Sequence, residues 1–130
     1  MRNLEGIRVT VWSPPAAAGE LAALQEKLER QGCRVAAATT AAEVEGMLAS
    51  EGVDLIVARV SSRFREPLEL LARRVRALPP VLVVTGNEVG LYLEAMCAGA
   101  FDGLGLPLDE QELMRIAKRA LDEMHAPMTT

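Results

Sequence analysis

The 130-residue sequence predicts an α/β fold in which a doubly wound parallel sheet is covered by helices on both faces. Five short apolar runs alternate with segments whose apolar residues recur at helical spacing, a pattern typical of successive βαβ units. The runs are almost continuously apolar, which indicates strands buried on both faces. Half of the residues are hydrophobic and only 3% are aromatic, so we expect an aliphatic core. The length favours a single domain, residues 1–130, with its core between about residues 7 and 124.

Each predicted strand is a short apolar run that ends at a breaker or a polar residue. The strands are expected at Ile7–Trp12, Cys33–Ala38, Val53–Ala58, Val81–Thr85 and Gly103–Leu106. Glycine weakens the last of these strands. Ligands of such folds bind at the carboxyl ends of the strands, which places Ser13, Pro14, Arg59, Thr85 and Leu106 at the candidate site.

The predicted helices are delimited by caps, glycines and prolines. They run from after Pro15 to Gly32, from Thr40 to Gly52, and over Glu66–Leu78, Glu88–Ala98 and Asp109–Met124. Thr40 and Glu43 have the spacing of a capping box. In the third helix the apolar residues Leu68, Leu71, Ala72 and Val75 are expected to face inward, and Arg73, Arg74 and Arg76 outward.

Composition argues against several functional classes. The net charge of −4 and the pI near 5.1 are unfavourable for binding nucleic acid, which requires a basic surface. No apolar segment is long enough to span a membrane, and the N-terminal residues lack the apolar region of a secretory signal. We therefore expect a cytoplasmic domain in which Cys33 and Cys97 are small buried hydrophobic residues rather than metal ligands.

Three segments resemble the receiver domain of bacterial response regulators. They are VDLIVARV in the third strand, VLVVTG in the fourth, and AGAFDGLGLPLDEQEL from Ala98. The last is similar to the receiver signature Ala-Gly-Ala-x-Asp-aromatic-Leu-x-Lys-Pro. The resemblance covers about residues 7–124, and it implies a flavodoxin-like strand order 2-1-3-4-5 and a role in two-component or phosphorelay signalling.

The residues that carry receiver chemistry are mostly replaced. In receivers, two carboxylates hold Mg²⁺, an aspartate accepts the phosphoryl group, and a lysine neutralises its charge. Here Ser13 and Pro14 replace the metal ligands, Arg59 the acceptor, Leu106 the lysine and Gly103 the aromatic switch residue, whereas Thr85 is retained beside Gly86. The resemblance therefore implies a pseudo-receiver that binds no Mg²⁺, needs no cofactor and is not an enzyme.

Arg59 has two interpretations. It could bind a small anion together with the Thr85 hydroxyl and the Gly86 amide, since a guanidinium suits bidentate phosphate contacts. The chain would then be a flavodoxin-like domain that binds an anionic ligand at the strand ends. Alternatively, Arg59 fills the emptied pocket and donates hydrogen bonds to loop carbonyls, or points to solvent. A remote α/β domain with a coincidental likeness to receivers is a third possibility.

The fourth helix is apolar on more than one face. Its only charged residues are Glu88 and Glu94, and its larger apolar residues cannot all face the sheet, because a helix buries one stripe. Leu91, Tyr92, Leu93 and Met96, with Met114 of the fifth helix, form a candidate contact surface for a protein partner or for self-association. Receivers use this face, made by the fourth helix, fifth strand and fifth helix, in the same way. The alternative is a deeply packed helix with one or two exposed apolar residues.

Overall fold

The computed structural model describes residues 4–73 and 78–125. Five strands form one parallel sheet in the order β2-β1-β3-β4-β5, which confirms the predicted topology. The strands are β1 (Arg8–Trp12), β2 (Arg34–Ala38), β3 (Leu55–Arg59), β4 (Val81–Thr85) and β5 (Asp102–Gly105). The helices are α1 (Ala18–Arg30), α2 (Ala41–Ser50), α3 (Glu66–Arg73), α4 (Val89–Ala98) and α5 (Glu110–His125). A short 3-10 turn, Pro15–Ala17, precedes α1.

Two aliphatic cores lie on opposite faces of the sheet. Successive side chains of a strand alternate between faces, so β3 sends Leu55 and Val57 to one core and Ile56 and Ala58 to the other. We call the first the α1–α5 core and the second the α2–α3–α4 core, after the helices that cover them. No helix among the described residues has both the length and the apolar character needed to cross a bilayer.

The capping box predicted at the start of α2 is present. The Thr40 hydroxyl accepts a hydrogen bond from the Glu43 amide at 3.1 Å, and the Glu43 carboxylate accepts one from the Thr40 amide at 3.2 Å. The backbone amide and the hydroxyl of Thr39 also donate to this carboxylate and lower the pKa of Glu43. The stability that Glu43 contributes is therefore present above its ordinary pKa and is lost as the pH falls through the lowered value.

Ala72, Leu78 and Cys97 differ from their predictions. Ala72 is exposed, because α3 turns Leu68 and Leu71 toward the core and the next residue lies about 100° further round the helix. Leu78 is not helical, as expected of a residue before a proline. Cys97 is exposed, whereas Cys33 is buried and burial raises the pKa of its thiol. The predictions for Arg74, Val75 and Arg76 lie outside the described residues.

Replacing Thr40 with alanine removes the oxygen that satisfies the Glu43 amide. We expect Thr40→Ala to lower the free energy of unfolding by about 1 kcal/mol, measured by urea denaturation. Ser50→Ala, at the other end of α2, is the matched control, because the Ser50 hydroxyl only donates to the Gly46 carbonyl within the helix. This control is expected to change stability by less than about 0.5 kcal/mol. Equal effects of the two variants would contradict the capping role.

Candidate functional site

The strand register brings the predicted site positions to one edge of the sheet. Arg59 lies opposite Val84, Thr85 lies opposite Gly105, and the Val60 amide donates to the Val84 carbonyl at 2.9 Å. We call this edge, with Ser13, Pro14, Arg59, Thr85, Gly86 and Leu106, the strand-end pocket. These residues are neighbours in the fold, but their side chains do not all converge.

The Arg59 side chain is largely buried, with 13% of its surface exposed. Its Nη1 donates to the Val60 carbonyl at 2.6 Å and to the Val84 carbonyl at 3.3 Å. Its Nε lies 3.4 Å from a carboxylate oxygen of Glu20 in α1, an ion pair without good hydrogen-bond geometry. The guanidinium therefore fills the edge of the sheet and bonds to carbonyls, as the second interpretation of Arg59 expected.

Thr85 and Arg59 start on opposite faces of the sheet. Val84, the register partner of Arg59, belongs to the α1–α5 core, so the buried Thr85 side chain that follows it points to the other face. Within the described residues, no hydrogen bond joins Thr85 to the guanidinium. Gly86 is closer: a Cβ built on it would lie 3.8 Å from Arg59 Nη2. The expected convergence of Arg59, Thr85 and Gly86 on one anion is only partly present.

The loop after β1 carries no carboxylate. Ser13 is buried, and its amide donates to the Ala38 carbonyl at 3.0 Å, while the Pro14 carbonyl accepts from the Ala17 amide at 2.9 Å. Leu106 is half-buried and packs against the α1–α5 core. No group of three or more histidine, cysteine, aspartate or glutamate side chains within residues 4–73 and 78–125 is arranged to hold a metal ion.

Trp12 packs under the loop that follows β3. It is 1% exposed, and its ring meets that of Phe64 edge-to-face at a centroid distance of 6.2 Å. The Phe64 and Ser61 backbones exchange hydrogen bonds at 3.1 and 3.2 Å, which close the loop into a tight turn that carries the Phe64 ring. The Trp12 indole nitrogen has no hydrogen-bond partner in the part of the chain that the structure describes.

The candidate contact residues of α4 differ in exposure. Leu91 was wrongly assigned to the surface: it is 7% exposed because Leu91 and Ala95, four residues apart, form the stripe that α4 buries. Leu93 is 56% exposed, and Val89, one turn earlier, is 70% exposed. Tyr92 and Met96 are half-buried, and Met114 packs partly against the α1–α5 core. The exposed apolar stripe is therefore formed by Val89 and Leu93.

A cluster beside this stripe links α4, β5 and α5. The Tyr92 hydroxyl donates to Asp102 Oδ1 at 3.3 Å, and Arg119 donates to Asp102 Oδ2 at 2.8 Å. Arg119 also lies over the Phe101 ring, 5.3 Å from its centroid. The Tyr92 ring lies against Gly103, where it occupies the space that a side chain would need. We call Tyr92, Phe101, Asp102, Gly103 and Arg119 the Tyr92 cluster.

Sequence reasoning did not assign five residues to these sites: Glu20, Val89, Phe101, Asp102 and Arg119. A signal existed for Glu20, because a helix that follows a parallel strand begins at the carboxyl end of that strand. The first turn of α1 contains Glu20 and therefore lies near the strand-end pocket. Asp102 could be read only as part of the resemblance, and nothing in the sequence pairs it with Arg119.

Solved structures of receiver domains are similar to this chain. A response regulator receiver domain protein from Clostridium thermocellum has a TM-score of 0.79 at 19% identity, over 94% of this chain and 99% of that one. The signal receiver domain of an HD domain-containing protein from Pseudomonas fluorescens Pf-5 has a TM-score of 0.80 at 24% identity, over 95% and 100%. Full-length FixJ from B. japonicum has a TM-score of 0.78 at 26% identity, over 94% of this chain and 61% of that one.

No family model matches the sequence, and no curated protein matches it. The likeness is therefore carried by the fold: five parallel strands in the order 2-1-3-4-5 with five helices. This chain has the fold of response regulator receiver domains, as the resemblance in its sequence predicted.

The Arg59–Glu20 pair can be tested by a double-mutant cycle. Glu20→Gln should lower the free energy of unfolding by about 1 kcal/mol, because a largely buried guanidinium loses its counter-charge while Glu20 itself remains partly exposed. The same substitution in an Arg59→Met background should have little effect, and this background also controls for the loss of an acid from the first turn of α1. An identical effect in both backgrounds would show that the two side chains are not coupled.

Tyr92 is the only tyrosine in the chain, so its ionisation can be followed by ultraviolet absorbance. The negative charge of Asp102 raises the pKa of Tyr92, and burial and the hydrogen bond to Asp102 act in the same direction. Asp102→Asn should bring this pKa down toward its ordinary value of about 10. The stability linked to Tyr92 is present below that ordinary value and is lost as the pH rises through the raised one. A titration midpoint that Asp102→Asn leaves unchanged would contradict the contact.

Proposed function

We propose that this chain is a degenerate receiver domain that acts in two-component or phosphorelay signalling by binding a protein, without accepting a phosphoryl group. The observation that carries the proposal is the position of Arg59. Its guanidinium occupies the place of the acceptor carboxylate and is already bonded to two carbonyls and paired with Glu20. In this proposal the domain is cytoplasmic and catalyses no reaction of its own.

The chemistry of phosphoryl acceptance supports this reading. The reaction needs a carboxylate nucleophile and oxygen ligands for Mg²⁺. The strand-end pocket offers Ser13 and Pro14 after β1 and a cation at the end of β3. A guanidinium cannot attack phosphorus, and its positive charge disfavours a metal cation nearby. The nearest acid, Glu20, pairs with Arg59 and lies on a helix rather than at a strand end.

The proposed binding surface is the α4–β5–α5 surface, formed by exposed Val89 and Leu93 with the half-buried Tyr92, Met96 and Met114. Its centre is an apolar stripe on a helix whose only charged residue is Glu94, which pairs with Arg65 of the neighbouring loop. Burying such a stripe removes apolar area from water without removing an unpaired charge. A protein partner, or a second copy of this chain, fits these properties.

A second candidate function is the binding of a small anion at the strand-end pocket. One observation favours it: Arg59 Nε is buried and has no hydrogen-bond acceptor among residues 4–73 and 78–125. An anion there would have to compete with Glu20 for the guanidinium. Titration with inorganic phosphate decides the matter, since binding that both Arg59→Ala and Thr85→Ala abolish would favour this function over the first.

The association of the domain tests the proposed surface. We expect Leu93→Glu to abolish concentration-dependent self-association in sedimentation velocity, because the substitution places a carboxylate in the centre of the apolar stripe. Ala22→Glu, at an exposed position of α1, is the matched control and should leave association unchanged. Association that survives Leu93→Glu would overturn this surface. If the wild-type chain is monomeric, the same two variants are compared with it in their binding to a cognate signalling protein.

A further inference from the structure

We propose that Tyr92 holds the α4–β5–α5 surface in a single arrangement, with its ring fixed in the space above Gly103 and its hydroxyl bound to Asp102. The importance of this arrangement for signalling rests on the proposed function, whereas the arrangement itself is a property of the fold.

The space above Gly103 is filled by the Tyr92 ring. A Cβ built on Gly103 would lie 2.5 Å from Tyr92 Cδ1, 2.7 Å from Tyr92 Cε1 and 3.3 Å from Val83 Cγ2. The first two distances are shorter than a carbon–carbon contact allows, so any side chain at position 103 displaces the ring. The φ angle of Gly103 is not in the left-handed region, so its backbone conformation does not require glycine. Packing against Tyr92 is therefore the reason why this position accommodates only glycine.

The hydroxyl end of Tyr92 is held by charge and hydrogen bonds. Asp102 Oδ1 accepts from the Tyr92 hydroxyl and, at 2.8 Å, from the Gly103 amide. Asp102 Oδ2 accepts from Arg119 of α5, which also contacts the Phe101 ring. One carboxylate thus receives donors from α4, β5 and α5. Rotation of Tyr92 away from β5 would break the helix-to-strand hydrogen bond and leave a gap over Gly103.

Position 103 has a particular meaning in the receiver resemblance, since receivers carry an aromatic switch residue there. In this chain an aromatic ring does cover that point of β5, but α4 supplies it. The ring is therefore part of the helix that carries the exposed stripe of Val89 and Leu93. Arg59, which replaces the acceptor, lies at the end of β3 and makes no hydrogen bond or ion pair with this cluster among the described residues. The surface is thus preformed instead of being switched from the strand-end pocket.

Alanine substitutions of two glycines in the same strand test the steric part of the proposal. Gly103→Ala should lower the thermal unfolding midpoint by several degrees, because its Cβ collides with the Tyr92 ring. Gly105→Ala is the matched control: a Cβ on Gly105 meets nothing within 4 Å, so the midpoint should stay near that of the wild type. In a Tyr92→Ala background the ring is absent, and Gly103→Ala should no longer destabilise the protein. Equal effects of the two glycine substitutions, or an equal loss in both backgrounds, would overturn the proposal.

Amide hydrogen exchange of the whole 130-residue chain tests whether Tyr92 holds the surface. Tyr92→Phe keeps the ring and removes only the hydroxyl, so α4 and β5 should exchange slightly faster than in the wild type. Tyr92→Ala should accelerate exchange strongly in α4 and β5 and leave β1 and β2 unchanged. Wild-type exchange in Tyr92→Ala would overturn the proposal. Neither experiment involves a partner, so their failure is distinguishable from a failure of the proposed function, which Leu93→Glu tests.

Discussion

The Arg59 guanidinium is a largely buried positive charge, and its partners determine what the carboxyl edge of the sheet can do. A cation removed from water must be compensated, and here the Val60 and Val84 carbonyls and the Glu20 carboxylate do so. These groups come from β4, from the chain just after β3, and from α1. This interaction therefore also joins the first helix to the centre of the sheet. The proposal of a domain that works by binding depends on this arrangement.

The α4–β5–α5 surface is a different region from the sheet edge that Arg59 fills. Its apolar stripe and the Tyr92 cluster lie on α4, β5 and α5, whereas the hydrogen bonds and the ion pair of Arg59 among the described residues go to Val60, Val84 and Glu20. A binding surface that does not rearrange on binding loses little conformational entropy at that step, because it became ordered when the protein folded. In the proposed function the fold serves as a rigid support for α4.

Much of the fold could be predicted from the sequence because its strong signals are local. Continuous apolar runs, the Thr40–Glu43 capping box and the breakers between elements each act over a few residues. The face of α4 that lies against the sheet could not be predicted, because the spacing of apolar residues does not single out one buried face when a helix is apolar on several faces. For this reason Leu91 is predicted on the surface but is buried, and Cys97 is predicted in the core but is exposed. The Arg59–Glu20 and Asp102–Arg119 pairs join segments that are far apart in the sequence, so no local pattern predicts them. The sequence shows that Gly103 stands where receivers have an aromatic residue, but it does not show that the Tyr92 ring covers this position.

An amide NMR titration of the chain with Mg²⁺ and acetyl phosphate, followed by intact-mass measurement, decides whether the domain accepts a phosphoryl group. We expect that the resonances of Arg59, Thr85 and Gly86 do not move and that the intact mass does not increase by a phosphoryl group. A change in mass would show that the domain still accepts phosphate. Shifts confined to Arg59, Thr85 and Gly86 without a change in mass would show that the strand-end pocket binds an anion, and either result would contradict a domain that signals through its binding surface alone.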